Sequence, residues 1–307
     1  MTQIDDTITT YLTALAVEGK RPRTIESYDE TLRAFRRAGH ELALPDAIED
    51  YTVEHAYAFR GDLQARGASA AYRNRRHREV RAFFSWCQKM GQLDLDRRHV
   101  FARVKLAPEE KRVKPPFSVD EVRLLLDGQD RSRLNGCRVY ALLLFLLDTG
   151  VRVTECFDVR LEEVDWEQGH VLVHGKGNKQ RHVGIGERTA DALRDYIDRF
   201  RGDGPGALFQ TRDGRPFASP NAIRVILRRI AKTVGLATKA NPHRFRYTFA
   251  TWAIASGARE IDVQLLLGHS SPQMTQHYAR AYDAEQAVHA HAALSPVAQL
   301  PPAADGS

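Results

Sequence analysis

Thirteen residues near the middle of the chain, LAPEEKRVKPPFS (106–118), constrain the fold more than any other stretch. They set Pro108, Pro115 and Pro116 among charged residues. Proline fixes φ and donates no backbone hydrogen bond, so a helix cannot run through the segment. The chain before it reads as helices, and the chain after it mixes helices with strands. The reading is therefore two domains, residues 1–105 and 118–294, joined by a linker over 106–117. A length of 307 residues agrees, being too long for one comfortable core. A linker of roughly 12 residues is extended and semi-rigid, long enough to let two domains sit on opposite sides of a rod-like ligand.

In the first domain DDTITTYLTALAVEG places Ile8, Tyr11, Leu12 and Leu15 at helical spacing and stops at Gly19. RTIESYDETLRAFRRAGH, VEHAYAFRGDLQARG and SAAYRNRRHREVRAFFSWCQKMG repeat the pattern, and four such helices make a small bundle. After the linker, Ser118 and Glu121 have the spacing of a capping box, which opens a fresh helix. CRVYALLLFLLDTG reads as a buried helix ending at Gly150. VDWEQGHVLVHGKGNKQRHVGI alternates and turns at glycines, the pattern of two or three short antiparallel strands. Helical patterns resume at ERTADALRDYIDRFR, PNAIRVILRRIAKTVG and RFRYTFATWAIASG and continue to AEQAVHAHAAL; the tail SPVAQLPPAADGS (295–307) reads as disordered. The fold class is mainly α with a small antiparallel β-sheet.

Charge narrows the partner. The formal net charge is +6, carried mostly by arginine, and a basic surplus points to a polyanion, with nucleic acid ahead of a membrane surface. The longest apolar run, VYALLLFLL, has core-helix length, and the acidic N-terminus does not resemble a signal peptide, so the expectation is a cytoplasmic protein with no membrane partner. Cys87, Cys137 and Cys156 are odd in number and widely spaced, which suggests neither a disulfide framework nor a zinc site.

Five patches carry candidate chemistry. Arg73, Arg75, Arg76, Arg78 and Arg81 crowd one helix whose other side carries Val80, Phe83, Phe84 and Trp86; a solvated surface is the plain alternative, but the charges are crowded and few acids answer them, so DNA phosphates are favoured. Arg152 follows Gly150 with Glu155 three residues on, which alone reads equally as an i, i+3 ion pair. HGKGNKQRH sets Lys176 and Lys179 on a glycine-flanked turn; it fails as a P-loop because Gly177 stands where Ser or Thr is needed and no helix follows. In NPHRFRYTFAT, His243 and Arg246 share a helix face after Pro242, with Phe245, Phe249 and Trp252 free to face the core and His243 and Arg246 left for solvent or a ligand. Finally GHSSPQMTQHYAR holds His269 and Tyr278, where a packing tyrosine is the plain alternative. His243, His269 and His277 lack ligand spacing, so no metal site is expected.

In order and spacing these boxes, TGVRVTE, GKGNKQR, PHRFRYTFAT, LLGHSS and Tyr278 nine residues after His269, resemble the signature of the tyrosine recombinases, the phage-integrase and Xer-type site-specific DNA recombinases. The resemblance covers the second domain as an α+β catalytic domain, and the helical first domain is similar to that family's SAM-like core-binding domain. It implies strand cutting and rejoining through a 3′-phosphotyrosine on Tyr278, without metal or other cofactor. Arg152 and Arg246 would clamp the scissile phosphate, His269 would hydrogen-bond it, His243 would move a proton near it, and Lys176, with Lys179 as runner-up, would protonate the leaving oxygen. Glu155 would be a structural buttress. Tyr247 stands where the family often has histidine, which affects a supporting contact. The plan resembles the simple two-domain Xer arrangement, with no arm-binding domain ahead of the bundle and no sizeable insertion between Lys176 and His243.

The resemblance further implies a double-stranded DNA site and a homo-tetramer on two duplexes, linked by exchange of the C-terminal helix. It leaves open a second recombinase or a DNA-bending partner, the target sequence, and the choice among integration, excision and dimer resolution. Two other readings share part of the pattern: a type IB topoisomerase-like enzyme, and a sequence-specific DNA-binding protein without catalysis.

Overall fold

Two separate sets of apolar residues at helical spacing build two separate cores. A computed structural model describes residues 3–94, 99–109, 115–175, 179–237 and 240–268. The chain divides into compact units Met1–Arg112 and Val113–Ser307, and the division falls inside the proline-bearing segment.

The first unit contains α1 (Gln3–Val17), α2 (Pro22–Glu41), α3 (Val53–Ala65), α4 (Ala70–Lys89) and the single turn α5 (Val100–Arg103). Ile4, Ile8, Tyr11 and Leu15 of α1 recur every three or four residues and are all buried, as are Leu32 and Phe35 of α2 and Phe59 of α3. Aromatic rings dominate this core. Phe35 meets Phe59 edge-on at 5.0 Å, and Phe101 of α5 lies 4.6 Å from Phe84 of α4. The start of the 106–117 segment is tied to the same unit, because the Asn74 amide donates to Ala107 O at 2.8 Å and accepts from Ala107 N at 3.0 Å.

The second unit opens with α6 (Val119–Asp127), and the capping box at its start is formed as the sequence predicts. Glu121 N donates to Ser118 Oγ at 3.1 Å and Ser118 N to the Glu121 carboxylate at 3.0 Å. The end of the proline segment is held here too, by Phe117 N donating to Thr248 Oγ1 at 2.8 Å. Helix α7 (Leu134–Thr149) is the central post, with Leu142, Leu143, Phe145 and Leu146 all fully buried. It stops at Gly150, in the left-handed region at φ 59°.

There follow α8 (Val153–Asp158), then β1 (Val164–Asp165), β2 (His170–His174) and β3 (Gln180–Gly184), an antiparallel sheet in the order β1-β2-β3. Val171 pairs with Val183 and Val173 with Arg181. The expected mainly α fold with a small antiparallel sheet is thus present. Helices α9 (Glu187–Tyr196), α10 (Pro220–Thr233), α11 (Pro242–Ala255) and α12 (Glu260–Leu267) complete the described fold, with α9 and α11 packed on α7.

Gly150 shows how tightly the fold closes around the start of α8. A Cβ there would stand 2.6 Å from Phe249 Cδ1 and 2.8 Å from Leu267 Cδ2, both on elements that flank the candidate site. Gly150→Ala therefore combines left-handed strain with overpacking and lowers stability by about 2–4 kcal/mol. Denaturant unfolding measures the loss, and a variant as stable as the parent contradicts this packing.

Candidate functional site

The site begins where α7 ends. Gly150 reverses the chain, and Arg152 becomes the N-cap of α8 with Glu155 at its third position. Arginine offers no acceptor to the helix start, so only half a capping box forms: Arg152 N donates to Glu155 Oε2 at 2.7 Å. The Arg152 guanidinium turns back to Glu155 Oε1 at 2.8 Å. The same carboxylate receives Arg181 from β3, Nη1 to Oε1 at 3.0 Å and Nη2 to Oε2 at 2.8 Å. Burial of Glu155, only 1% exposed, would by itself raise its pKa. The hydrogen bonds from Arg181 and the Arg152 backbone, with the two positive charges, outweigh burial and hold it down at about 2.

The second feature is the C-terminal end of α12, where three successive carbonyls face three guanidinium groups. Leu266 O accepts from Arg181 Nε at 2.7 Å. Leu267 O accepts from Arg246 Nη2 at 2.7 Å and from Arg152 Nη1 at 3.3 Å, and Gly268 O accepts from Arg152 Nη2 at 3.1 Å. The carbonyl end of a helix is its negative pole, so cations are favoured there. Arg246 also donates to Gly150 O at 2.9 Å, which ties α11 to the reversal after α7.

These contacts correct the expected orientation of α11. Arg246 is 4% exposed and faces inward, because α12 and the Gly150 turn close over it; His243 is exposed; and Trp252 keeps 36% exposure instead of entering the core. Arg244 is buried as well, held by Pro115 O, Pro116 O and Glu121 and stacked 4.0 Å from the Phe117 ring. Arg152, with a third of its side chain exposed, is the more open of the two expected phosphate ligands. His243 lies in the field of Arg224, Arg246 and Arg152, in that order of effect. Its ring's partial withdrawal from water is the largest cause lowering its pKa, and the three cations lower it further, so it is neutral at pH 7 and able to accept a proton.

The structure thus brings Arg152, Arg246 and His243 together. Lys176, His269 and Tyr278 lie outside the described residues, as do the expected C-terminal helix and the tail 295–307. Gly175 N donates to Lys179 O at 2.7 Å, closing the base of the hairpin on which Lys176 stands, and Lys179 is exposed beside it.

Arg181 and Arg224 are the residues that reading the sequence missed. Arg181 shares the β3 face of buried Val183 by strand alternation, and an arginine on a buried face requires a buried partner. Arg224 is exposed on α10 with Asn221 and Arg228, opposite buried Ile223, Leu227 and Ile230.

The arginine helix α4 differs from the uniformly cationic face the sequence suggests. Arg76 is buried, donating to Thr31 Oγ1 at 2.6 Å. Arg75 pairs with Glu79 at 3.2 Å, Arg78 lies 3.8 Å from Glu109, and Arg73 donates to Ala68 O at 2.9 Å. Acids from the same helix and from the segment after α5 therefore answer these charges. Arg75, Arg78 and Arg81 remain exposed and Arg73 half-buried. Among the described residues no cluster of three or more His, Cys, Asp or Glu could hold a metal ion, and no helix is long and apolar enough to cross a membrane.

Comparison with known proteins places this geometry. Residues 117–285 match the phage integrase family. The chain is 29% identical over 287 residues to tyrosine recombinase XerC of Oceanobacillus iheyensis, covering 91% of this chain and 92% of that one. It is 30% identical over 284 residues to tyrosine recombinase XerD of Staphylococcus haemolyticus, covering 87% and 91%. In fold it is similar to lambda integrase, solved as a dimer bound to a COC′ core site, with a TM-score of 0.73 at 20% identity over 89% of this chain and 97% of that one. A lambda integrase tetramer bound to a Holliday junction gives the same TM-score and identity over 89% of this chain and 78% of that one.

The buried carboxylate makes stability depend on acid in a defined window. Glu155 titrates at about 2 in the folded chain against an ordinary 4.5, so its contribution is complete above 4.5 and is lost as pH falls toward 2. Thermal unfolding between pH 5 and 2, a range of roughly this width, gives a shallower decline for Glu155→Gln than for the parent. Equal slopes contradict the assignment.

Proposed function

We infer, since the chain belongs to the phage integrase family and is a tyrosine site-specific recombinase, that its chemistry is a metal-independent exchange of DNA strands centred on Arg152, Arg246, His243, Lys176, His269 and Tyr278. The observation that carries this reading is the convergence of Arg152 and Arg246 on the end of α12, one residue before His269, with a neutral His243 in their field. Family membership favours this over a type IB topoisomerase-like enzyme or a DNA-binding protein without catalysis.

The Tyr278 oxygen attacks phosphorus and the bond from phosphorus to the 5′ oxygen breaks, leaving a 3′-phosphotyrosine that conserves the energy for rejoining. The phenol proton passes to His243, which its partial burial and the neighbouring cations keep in the neutral form that an acceptor needs. The departing 5′ oxygen takes its proton from Lys176, with Lys179 as the alternative donor on the same hairpin. Arg152, Arg246 and His269 stabilise the charge growing on the non-bridging oxygens, the task metal ions perform in other nucleases. Rejoining runs the same steps backwards with the 5′ hydroxyl of a partner strand as nucleophile.

The partner is double-stranded DNA in the cytoplasm. Two duplexes need four tyrosines, so the working form is a homo-tetramer on DNA, a reading supported by the lambda integrase tetramer on a Holliday junction, and its protomers are linked through the C-terminal segment. The first unit contributes backbone contacts through Arg73, Arg75, Arg78 and Arg81 of α4, with buried Arg76 supporting the helix. Residues 1–105 act as the core-binding domain, 106–117 as the linker and 118–294 as the catalytic domain.

Covalent capture tests the chemistry. The parent and Tyr278→Phe are incubated with fragmented DNA of the source organism, denatured, and assayed for DNA that stays attached. The expected result is attachment by the parent alone, with junctions converging on one short sequence that identifies the target. Attachment by both proteins, or by neither while both bind DNA even with the source organism's extract supplying any partner recombinase or DNA-bending protein, removes Tyr278 as nucleophile. On that target, Arg78→Gln with Arg81→Gln lowers the slope of log affinity against log salt by about 0.9 for each phosphate that is no longer neutralised, while Arg76→Gln acts chiefly on stability. An unchanged slope excludes α4 from the DNA interface.

A further inference from the structure

Arg181 sits between two glycines, and its surroundings are those of a clamp. A Cβ on Gly268, at φ +61°, would stand 3.0 Å from Arg181 Nη1 and 3.2 Å from Cδ and Cζ. A Cβ on Gly175 would stand 3.7 Å from Glu155 Oε1 and 3.9 Å from Arg181 Nη1. The guanidinium lies against two backbones at once, in ordinary contact with Gly175 at the base of the lysine hairpin and, where only glycine leaves room, against Gly268 in the turn that ends α12 one residue before His269. All three nitrogens already donate to protein acceptors, Nε to Leu266 O and the two Nη to the Glu155 carboxylate, and 15% of the side chain is exposed. A guanidinium with both Nη atoms committed to one buried carboxylate is poorly placed to bind phosphate and well placed to hold other groups in register.

We propose that Arg181 is a positioning residue for strand cleavage, locking the hairpin that carries Lys176 and Lys179 against the turn from which the chain runs on to His269 and Tyr278. The proposal rests on the reading above that a hairpin lysine protonates the leaving oxygen. Through Glu155 the same clamp fixes Arg152, so the proton donor and the phosphate ligand share one anchor. An ordinary structural ion pair would have no preference among the steps of catalysis. A positioning role predicts that the cost falls on protonation of the leaving group.

The nature of the leaving atom separates these cases. In a target duplex with sulfur in place of the 5′ bridging oxygen, the Tyr278 oxygen still bonds to phosphorus, but the bond that breaks is phosphorus to sulfur. Its electron pair leaves as a thiolate that needs no proton, because thiols ionise near neutral pH. Both duplexes are built on the sequence recovered by covalent capture, and adduct formation is followed in single turnover beside equilibrium DNA binding and thermal unfolding.

Arg181→Met is expected to bind DNA as the parent does, to cleave the oxygen duplex roughly 100-fold more slowly, and to recover most of that loss on the sulfur duplex. Arg181→Lys keeps a charge opposite Glu155 but lacks the fork that reaches Leu266 O. It should show the same selective loss in smaller measure, and it replaces the methionine variant if that protein does not fold. Unchanged cleavage, equal slowing on both duplexes, or loss of binding in step with cleavage overturns the proposal. Lys176→Ala and Lys179→Ala are measured alongside. If neither recovers on sulfur, the lysine donor falls and this proposal with it; if one recovers and Arg181→Met does not, only the role of Arg181 falls.

Discussion

The second unit's site hangs on one buried carboxylate. Glu155 accepts four hydrogen bonds on two oxygens, from the backbone and side chain of Arg152 and from both Nη atoms of Arg181. A carboxylate withdrawn from water is tolerable only when so satisfied, and removing one partner of such a pair costs about 3–5 kcal/mol. The bonds also join elements distant in sequence. Arg152 belongs to the start of α8, Arg181 to β3, and through Arg181 the carboxylate reaches the last turn of α12. Three elements therefore acquire a common origin at a single side chain.

The arrangement around that origin is electrostatically lopsided. Arg152, Arg246 and Arg224 all act on His243, and Arg181 lies behind Arg152 across Glu155. The contacts described for these guanidiniums are to one carboxylate and to backbone carbonyls with their partial negative charge, an arrangement that suits the phosphate of the proposed reaction. Holding cations together before the ligand arrives is unfavourable in isolation, and the fold offsets it with the carbonyls of Gly150, Leu266, Leu267 and Gly268. Charge fixed in place in advance need not reorganise as a reaction proceeds, which is how the metal-independent chemistry proposed above would stabilise a phosphoryl transition state.

Local rules make much of the fold legible. The capping box at Ser118 and Glu121 is a contact between near neighbours, and so is the left-handed stop at Gly150. The hairpin follows from alternation and glycine. What escapes depends on contacts that cross the sequence. His243 and Arg246 share a helix face by spacing, yet Arg246 is buried because α12 folds over it, and spacing carries no information about α12. Hydrophobicity alone assigns Trp252 to the core, and it stays partly in solvent. On α4, counting arginines overlooks Glu79 one turn along and Glu109 in the segment after α5, which turn a cationic stripe into a mixed one. Arg181 is within reach of the sequence, since alternation in QRHVGI places it with Val183 and Ile185, but the lysine-bearing motif beside it points to the turn and away from the strand.

The separation of exposed from buried arginines has a mechanistic logic. Arg152 keeps a third of its side chain in solvent, while Arg246 at 4% and Arg181, with a side chain 15% exposed, are largely enclosed. As the phosphate ligand proposed above, the exposed group would exchange its carbonyl partners for phosphate oxygens at little cost in packing while keeping its bond to Glu155. The enclosed groups hold the backbone on either side of it, Arg246 at Gly150 and Leu267, Arg181 at Leu266. A recombinase must cut and rejoin through the same geometry, so the groups that hold its phosphate, the enclosed Arg246 among them, have to return to one place after each passage. Under the chemistry proposed above, enclosing the neighbouring guanidiniums would supply that constancy, and leaving Arg152 partly open would let DNA enter and leave without disturbing it.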